Sequence, residues 1–168
     1  MADMFPYQLV GFLDREPAVG ESAYNSDKGW YVQLALKRRF TVRDMSEEAL
    51  MQTVANFCSQ RTPLRIKVGG RIKPEHMPVH VLEVEPSDDV LQFHADFIKA
   101  FGDHLVSRYP ERDGEHYYPH ITAEYDGKDV IDAEQYANRD YVLNKVWLLK
   151  DVLGSEDSQA YASFYMSE

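Results

Sequence analysis

Tyr118-Pro119-His120-Ile121-Thr122-Ala123-Glu124-Tyr125 sets a histidine and a threonine two residues apart in a segment with the alternation of a strand. Side chains two apart on a strand share a face, so an imidazole and a hydroxyl point into one space. The imidazole can exchange a proton near neutrality, and the hydroxyl can hold a phosphate oxygen.

The surrounding sequence gives that pair a scaffold. Working upstream from it, Tyr7 to Leu13 reads as a strand and Arg15 to Gly29 as a loop, followed by a strand over Tyr31 to Val42 with Val32, Leu34 and Leu36 on one face. Ser46 caps a helix with Glu47 and Glu48 in its first turn and a buried stripe of Leu50, Val54, Phe57 and Cys58. Leu64 to Lys73 alternates again, with Leu64, Ile66 and Val68 opposed to Arg65 and Lys67, until Gly69-Gly70 marks a bulge. Val79 to Glu85 is a further strand, and Ser87 caps a second helix with Leu91, Ala95, Ile98 and Leu105 on a core face widened by Phe97 and Phe101. Downstream of the turn-rich Pro110 to Gly114 come the His120 strand and strands over Tyr141 to Leu149 and Ala160 to Tyr165. Gly154 to Gln159 and Ser167-Glu168 read as exposed segments without chemistry. Two strand-helix-strand units of like layout predict an internal pseudo-repeat in an α+β fold.

The 168 residues, 44% of them hydrophobic, suffice for one two-lobed domain spanning 1–168. No apolar run reaches transmembrane length and the N-terminus lacks a signal-peptide pattern, so the expectation is a soluble, cytoplasmic protein without membrane partners. Cys58 is the single cysteine, which leaves no disulfide and no thiolate metal site within the chain. The sequence holds no CxxC, HExxH, GxGxxG or GxxxxGK pattern, so no metal or cofactor is expected.

The net charge of −10 speaks against binding along duplex nucleic acid, but the charge is unevenly spread. Residues 37 to 73 carry nine bases against three acids, and this patch suits a small phosphate ester or a nucleic-acid end. Lys37, Arg39, Arg65 and Lys67 are its candidates for holding phosphoryl oxygens.

The chain resembles the 2H phosphoesterase superfamily, which includes the 2′-5′ RNA ligases and cyclic phosphodiesterases. The resemblance spans nearly the whole chain. It rests on Tyr118-Pro119-His120-Ile121-Thr122, which is similar to that family's second His-x-Thr motif, on the strand and helix of Val79 to Leu105, and on the closing strand Val146 to Leu149. It implies two lobes related by a pseudo-twofold, with antiparallel sheets and flanking helices around a central cleft. It also implies a His-x-Thr or His-x-Ser pair from each lobe.

The upstream pair is altered. Where the family reads His-x-Thr-Leu-Lys, this chain reads Gln33-Leu34-Ala35-Leu36-Lys37, so Gln33 stands at the histidine's place and Ala35 at the threonine's. Attack at a phosphodiester needs one group to take a proton and another to give one, and a glutamine does neither. His80 and His116 are the candidate substitutes. His116 lies four residues before His120 on one side of an ideal strand, with the rings roughly 13 Å apart. Tyr31, Tyr118 and Tyr125 are candidates to stack on a base or to donate to phosphate.

These readings assign His120 and Thr122 as the catalytic half, and Tyr31, Gln33, Ala35, Lys37, Arg39, Tyr118 and Tyr125 to the substrate. The expected activity is a metal-independent phosphodiester hydrolase or nucleotidyl-transfer enzyme with altered or weakened catalysis. It would act on RNA ends, 2′-5′ linkages or 2′,3′-cyclic nucleotides. The alternative is a non-catalytic nucleotide-binding protein that retains the cleft.

Overall fold

The structure is a computed structural model that describes residues 4–24, 29–151 and 157–167. The elements in chain order are β1 (Tyr7–Phe12), β2 (Gln33–Val42), α1 (Glu47–Ser59), β3 (Leu64–Ile72), β4 (Val81–Val84) and α2 (Asp88–Phe101). They continue through β5 (Leu105–Ser107), β6 (His120–Thr122), β7 (Glu124–Tyr125), β8 (Lys128–Asp129), α3 (Ala133–Tyr136), β9 (Arg139–Leu143), β10 (Lys145–Asp151) and β11 (Ser158–Tyr165).

The strands form two antiparallel sheets, ordered β11-β10-β1-β2-β5 and β6-β4-β3-β9, with a separate β7-β8 hairpin. Leu9, Leu34, Leu36 and Phe40 of the first sheet and Leu64, Ile66, Val68 and Leu82 of the second meet α1 and α2 in one apolar core. The opposite face of the first sheet carries a smaller cluster of Val10, Phe12, Trp147 and Leu149, covered by Ala23 and Tyr31 from the loop before β2. Among the described residues no helix is long and apolar enough to cross a membrane.

Both helix starts follow the expected chemistry, with the Ser46 hydroxyl accepting from Ala49 N and the Ser87 hydroxyl from Val90 N. The register between β3 and β4 shifts between Val68 and Arg71, at Gly69-Gly70. Gly11 lets the sheets close on each other, because a Cβ there would collide with the Leu143 side chain of β9.

Three sequence expectations are corrected. The stripe of α2 that is buried is Val90, Phe93, His94, Phe97 and Phe101, while Ala95 is exposed, Leu91 and Ile98 are half-buried, and Leu105 belongs to β5. The phenylalanine face removes more apolar area from water, so it wins. Tyr141 to Leu149 is two strands, broken at Asn144 and assigned to different sheets. Part of Gly154 to Gln159 lies outside the described residues, and Ser158 is a fully buried member of β11 whose hydroxyl donates to Asp151 (2.7 Å).

Candidate functional site

The first sheet pairs β5 only with Phe40–Val42, so the N-terminal half of β2 is a free edge. The second sheet ends on β6. These two edges border a pocket lined by Gln8, Tyr24, Gln33, Ala35, Arg38, His120 and Thr122. His120 and Thr122 share a face of β6, with Ile121 turned into the core. The structure thus brings together His120, Thr122, Gln33, Ala35 and Tyr31 around one space.

His120 has a defined orientation. Its Nδ1 lies 2.8 Å from the Tyr118 carbonyl, which has no proton to give, so Nδ1 carries the hydrogen and Nε2 is left as an acceptor. No described residue bonds Nε2. Burial is the main cause that pushes the imidazole down to about 4, and the neighbouring charges of Arg38, His76 and Arg112 act in the same direction. At neutral pH the ring is uncharged. The Tyr118 ring stacks on it (5.5 Å, 24°), with His76 edge-on to Tyr118 (4.8 Å).

Strict alternation along β2 would put Arg38 on the core face with Leu34, Leu36 and Phe40. The strand avoids this with register irregularities against β1 between Tyr7 and Val10. Lys37 is turned inward at 2% exposure, and Arg38 joins Gln33 and Ala35 on the pocket side. Side chains hold the irregular segment in place. His94 Nδ1 donates to the Leu36 carbonyl (2.8 Å) and its Nε2 accepts from Gly114 N (3.1 Å), while burial lowers the His94 pKa. The Tyr117 ring lies flat on His94 (4.0 Å, 5°), and its hydroxyl donates to the Ala35 carbonyl (2.8 Å). Asp113 pairs with Lys37 (2.9 Å).

Arg38 is the residue that sequence reasoning missed. It borders the His120 pocket and both adjoining hollows, one holding His76, Arg112 and Tyr118 and the other Trp30, Arg108, Tyr109 and Tyr125. None of the described carboxylates pairs with it, and burial together with the charge of Arg112 pushes its pKa down. A half-buried guanidinium with no carboxylate partner among the described residues, in a chain of net charge −10, suits an anion. The sequence carried one signal for it, an arginine falling on an otherwise apolar face.

Of the remaining candidates, Lys37, Arg39 and His116 border the hollow beside His120, and Arg65, Lys67, Tyr125 and His80 lie further out. Lys37 is spent on Asp113, and Arg39 is paired with Asp151 at the rim. Arg65 and Lys67 lie on the outer face of β3, away from the pocket. Tyr31 donates to Glu21 beneath the Arg15 guanidinium. Tyr125 is 60% exposed and tilts against Trp30 (5.4 Å) at the mouth. His80 lies outside the cleft, its Nδ1 3.2 Å from the Glu124 carboxylate. His116 is not on a strand but ends a short helical turn at Gly114–His116, with its side chain 69% exposed. His80 borders none of the hollows around His120, whereas His116 borders the one that His120 shares with Arg38 and Tyr118. Among the described residues no group of three His, Cys, Asp or Glu side chains gathers to hold a metal.

Two sheets meeting at a cleft, with His120-x-Thr122 on one edge and Gln33 and Ala35 on the other, define a protein built on the 2H phosphoesterase plan. Residues 38–150 match the family described as the 2′-5′ RNA ligase superfamily, and the chain belongs to that superfamily. The matched span contains His120 and Thr122. Among solved structures, one titled as a phosphoesterase is similar in fold at 12% identity and a TM-score of 0.59, covering 97% of this chain and 98% of that one. E. coli LigT complexed with 3′-AMP is similar at 10% identity and 0.58, covering 97% and 98%. TT0787 of Thermus thermophilus is similar at 13% identity and 0.55, covering 96% and 97%. No curated protein matches the sequence.

Proposed function

We propose that the protein is a cytoplasmic, metal-independent phosphodiesterase of the 2H type, a single two-lobed domain acting on RNA ends, 2′-5′ linkages or 2′,3′-cyclic nucleotides. The observation that carries this reading is His120, neutral and with Nε2 unbonded among the described residues, beside the Thr122 hydroxyl and an Arg38 that none of the described carboxylates pairs. Nε2 takes the proton from the attacking hydroxyl or water. Arg38 and Thr122 hold the non-bridging oxygens as charge builds on them, in a pocket where water screens them little. Tyr118 and Trp30, in the two flanking hollows, offer faces on which a base can stack. LigT has been crystallised with 3′-AMP, and a nucleotide of that kind suits this pocket.

One observation favours the alternative of a nucleotide-sequestering protein, namely that the position facing His120 is an amide and not a second imidazole. A panel of 2′,3′-cyclic nucleotides, 2′-5′ dinucleotides and 3′-5′ cyclic dinucleotides, incubated with the protein in EDTA while both binding and product are followed, separates the two. Product supports the enzyme. Binding without product supports sequestration, and neither would overturn both readings.

A further inference from the structure

We propose that Tyr24 is the proton donor that stands in for the missing second histidine, giving its phenolic proton to the departing ester oxygen while His120 takes one from the nucleophile. This deepens the phosphodiesterase reading and rests on it.

Tyr24 lies in the loop before β2, lines the same pocket as Gln33, His120 and Thr122, and is fixed edge-on against Trp30 (4.9 Å, 70°). Its place in a hydrogen-bond chain decides where its proton is. The Asp151 carboxylate can only accept, and it takes the Ser158 proton (2.7 Å). The Ser158 oxygen is thereby free to accept from the Gln8 amide (3.4 Å), which fixes that amide with its nitrogen inward. The second Gln8 amide proton goes to the Tyr24 oxygen (3.3 Å). Tyr24 thus accepts from the Gln8 amide, and its own proton makes no hydrogen bond to a described residue. Gln33, where the family resemblance would place a second imidazole, can act neither as acid nor as base, and its Oε1 is buried in this pocket without a hydrogen-bond partner. Arg38 and Arg39 favour the phenolate that forms and offset the effect of burial, which raises the phenol's pKa.

The step balances. The nucleophile's O–H gives its proton to His120 Nε2 as its oxygen bonds to phosphorus. The bond from phosphorus to the leaving oxygen breaks, that oxygen keeps the electron pair, and it receives the Tyr24 proton. The imidazolium then returns a proton to the phenolate through solvent.

The test is the leaving-group dependence of Tyr24→Phe. A 2′-5′ dinucleotide expels an alkoxide that needs a proton, whereas a nucleoside p-nitrophenyl phosphodiester expels a stable phenolate that does not. Tyr24→Phe is expected to lower kcat on the dinucleotide by about 100-fold or more, with KM little changed, and to leave turnover of the nitrophenyl ester nearly intact. Replacing Tyr24 with a difluorotyrosine, which keeps the ring and acidifies the hydroxyl, is expected to move the alkaline limb of the dinucleotide pH profile downward. Equal loss on both esters, or no loss on either, would overturn the role of Tyr24 while leaving the phosphodiesterase reading in place. A wild-type protein that binds nucleotide but turns over neither ester would overturn both.

Discussion

His120 stores a pH-dependent part of the stability of this fold, and its size follows from its surroundings. The ring is pushed from its ordinary 6.5 down to about 4, chiefly by burial. Between those values the unfolded chain binds more protons than the folded one, so stability falls as pH falls. The contribution is complete above about pH 6.5 and gone below about pH 4, and two and a half pKa units correspond to roughly 3 kcal/mol. Replacing His120 with Gln removes the titration and keeps a polar side chain of similar size. Burial also lowers the pKa of His94, so the informative quantity is the difference between the two proteins. Urea denaturation at pH 7 and at pH 4 is expected to show the wild type losing about 3 kcal/mol more than His120→Gln. Saturating nucleotide is expected to shrink that gap, because an anion beside Arg38 favours the imidazolium. Parallel losses in the two proteins, or a His120 ring titrating near 6.5 by NMR, would refute the claim that His120 is held neutral by burial.

Other outcomes follow from the same geometry. Arg38→Gln removes the guanidinium and should weaken nucleotide binding by roughly 10- to 100-fold, measured by calorimetry, since charged hydrogen bonds contribute about 1.5–3 kcal/mol. His94→Leu leaves the Leu36 carbonyl without its donor and should lower nucleotide affinity by misaiming Arg38, though His94 does not line the pocket around Gln33 and Thr122. Asp113→Ala strands the buried Lys37 and should cost about 3–5 kcal/mol by denaturation, much of it recovered when Lys37→Met is added. Gln33→His combined with Ala35→Thr, added to Tyr24→Phe, should restore kcat on a 2′-5′ dinucleotide by about 100-fold, by supplying an imidazole in place of the lost phenol.

Much of the fold is legible in the sequence because its strands alternate cleanly and both long helices begin with a serine cap and two acids. The Leu64, Ile66 and Val68 face of β3 and the His120-x-Thr122 face of β6 follow from period two alone. The site resisted reading where the period breaks. The irregularity in β2 exchanges Lys37 for Arg38, and it is stabilised by His94, Asp113 and Tyr117, which lie 58, 76 and 82 residues along the chain from the groups they hold. The buried face of α2 is ambiguous in the sequence because its leucine and phenylalanine stripes overlap, and only packing against β2 and α1 selects between them. The role of Tyr24 depends on Gln8, Asp151 and Ser158, which come from three separate strands, so local pattern could not single it out among eleven tyrosines.

That His120 acts as the base at a phosphodiester is tested most directly by the rate of 2′-5′ dinucleotide cleavage in EDTA by wild type and by His120→Ala. Nucleotide products are expected from the wild type, with a rate lower by a factor of about 100 to 10,000 in the variant and substrate still bound. Equal rates in the two proteins would contradict it.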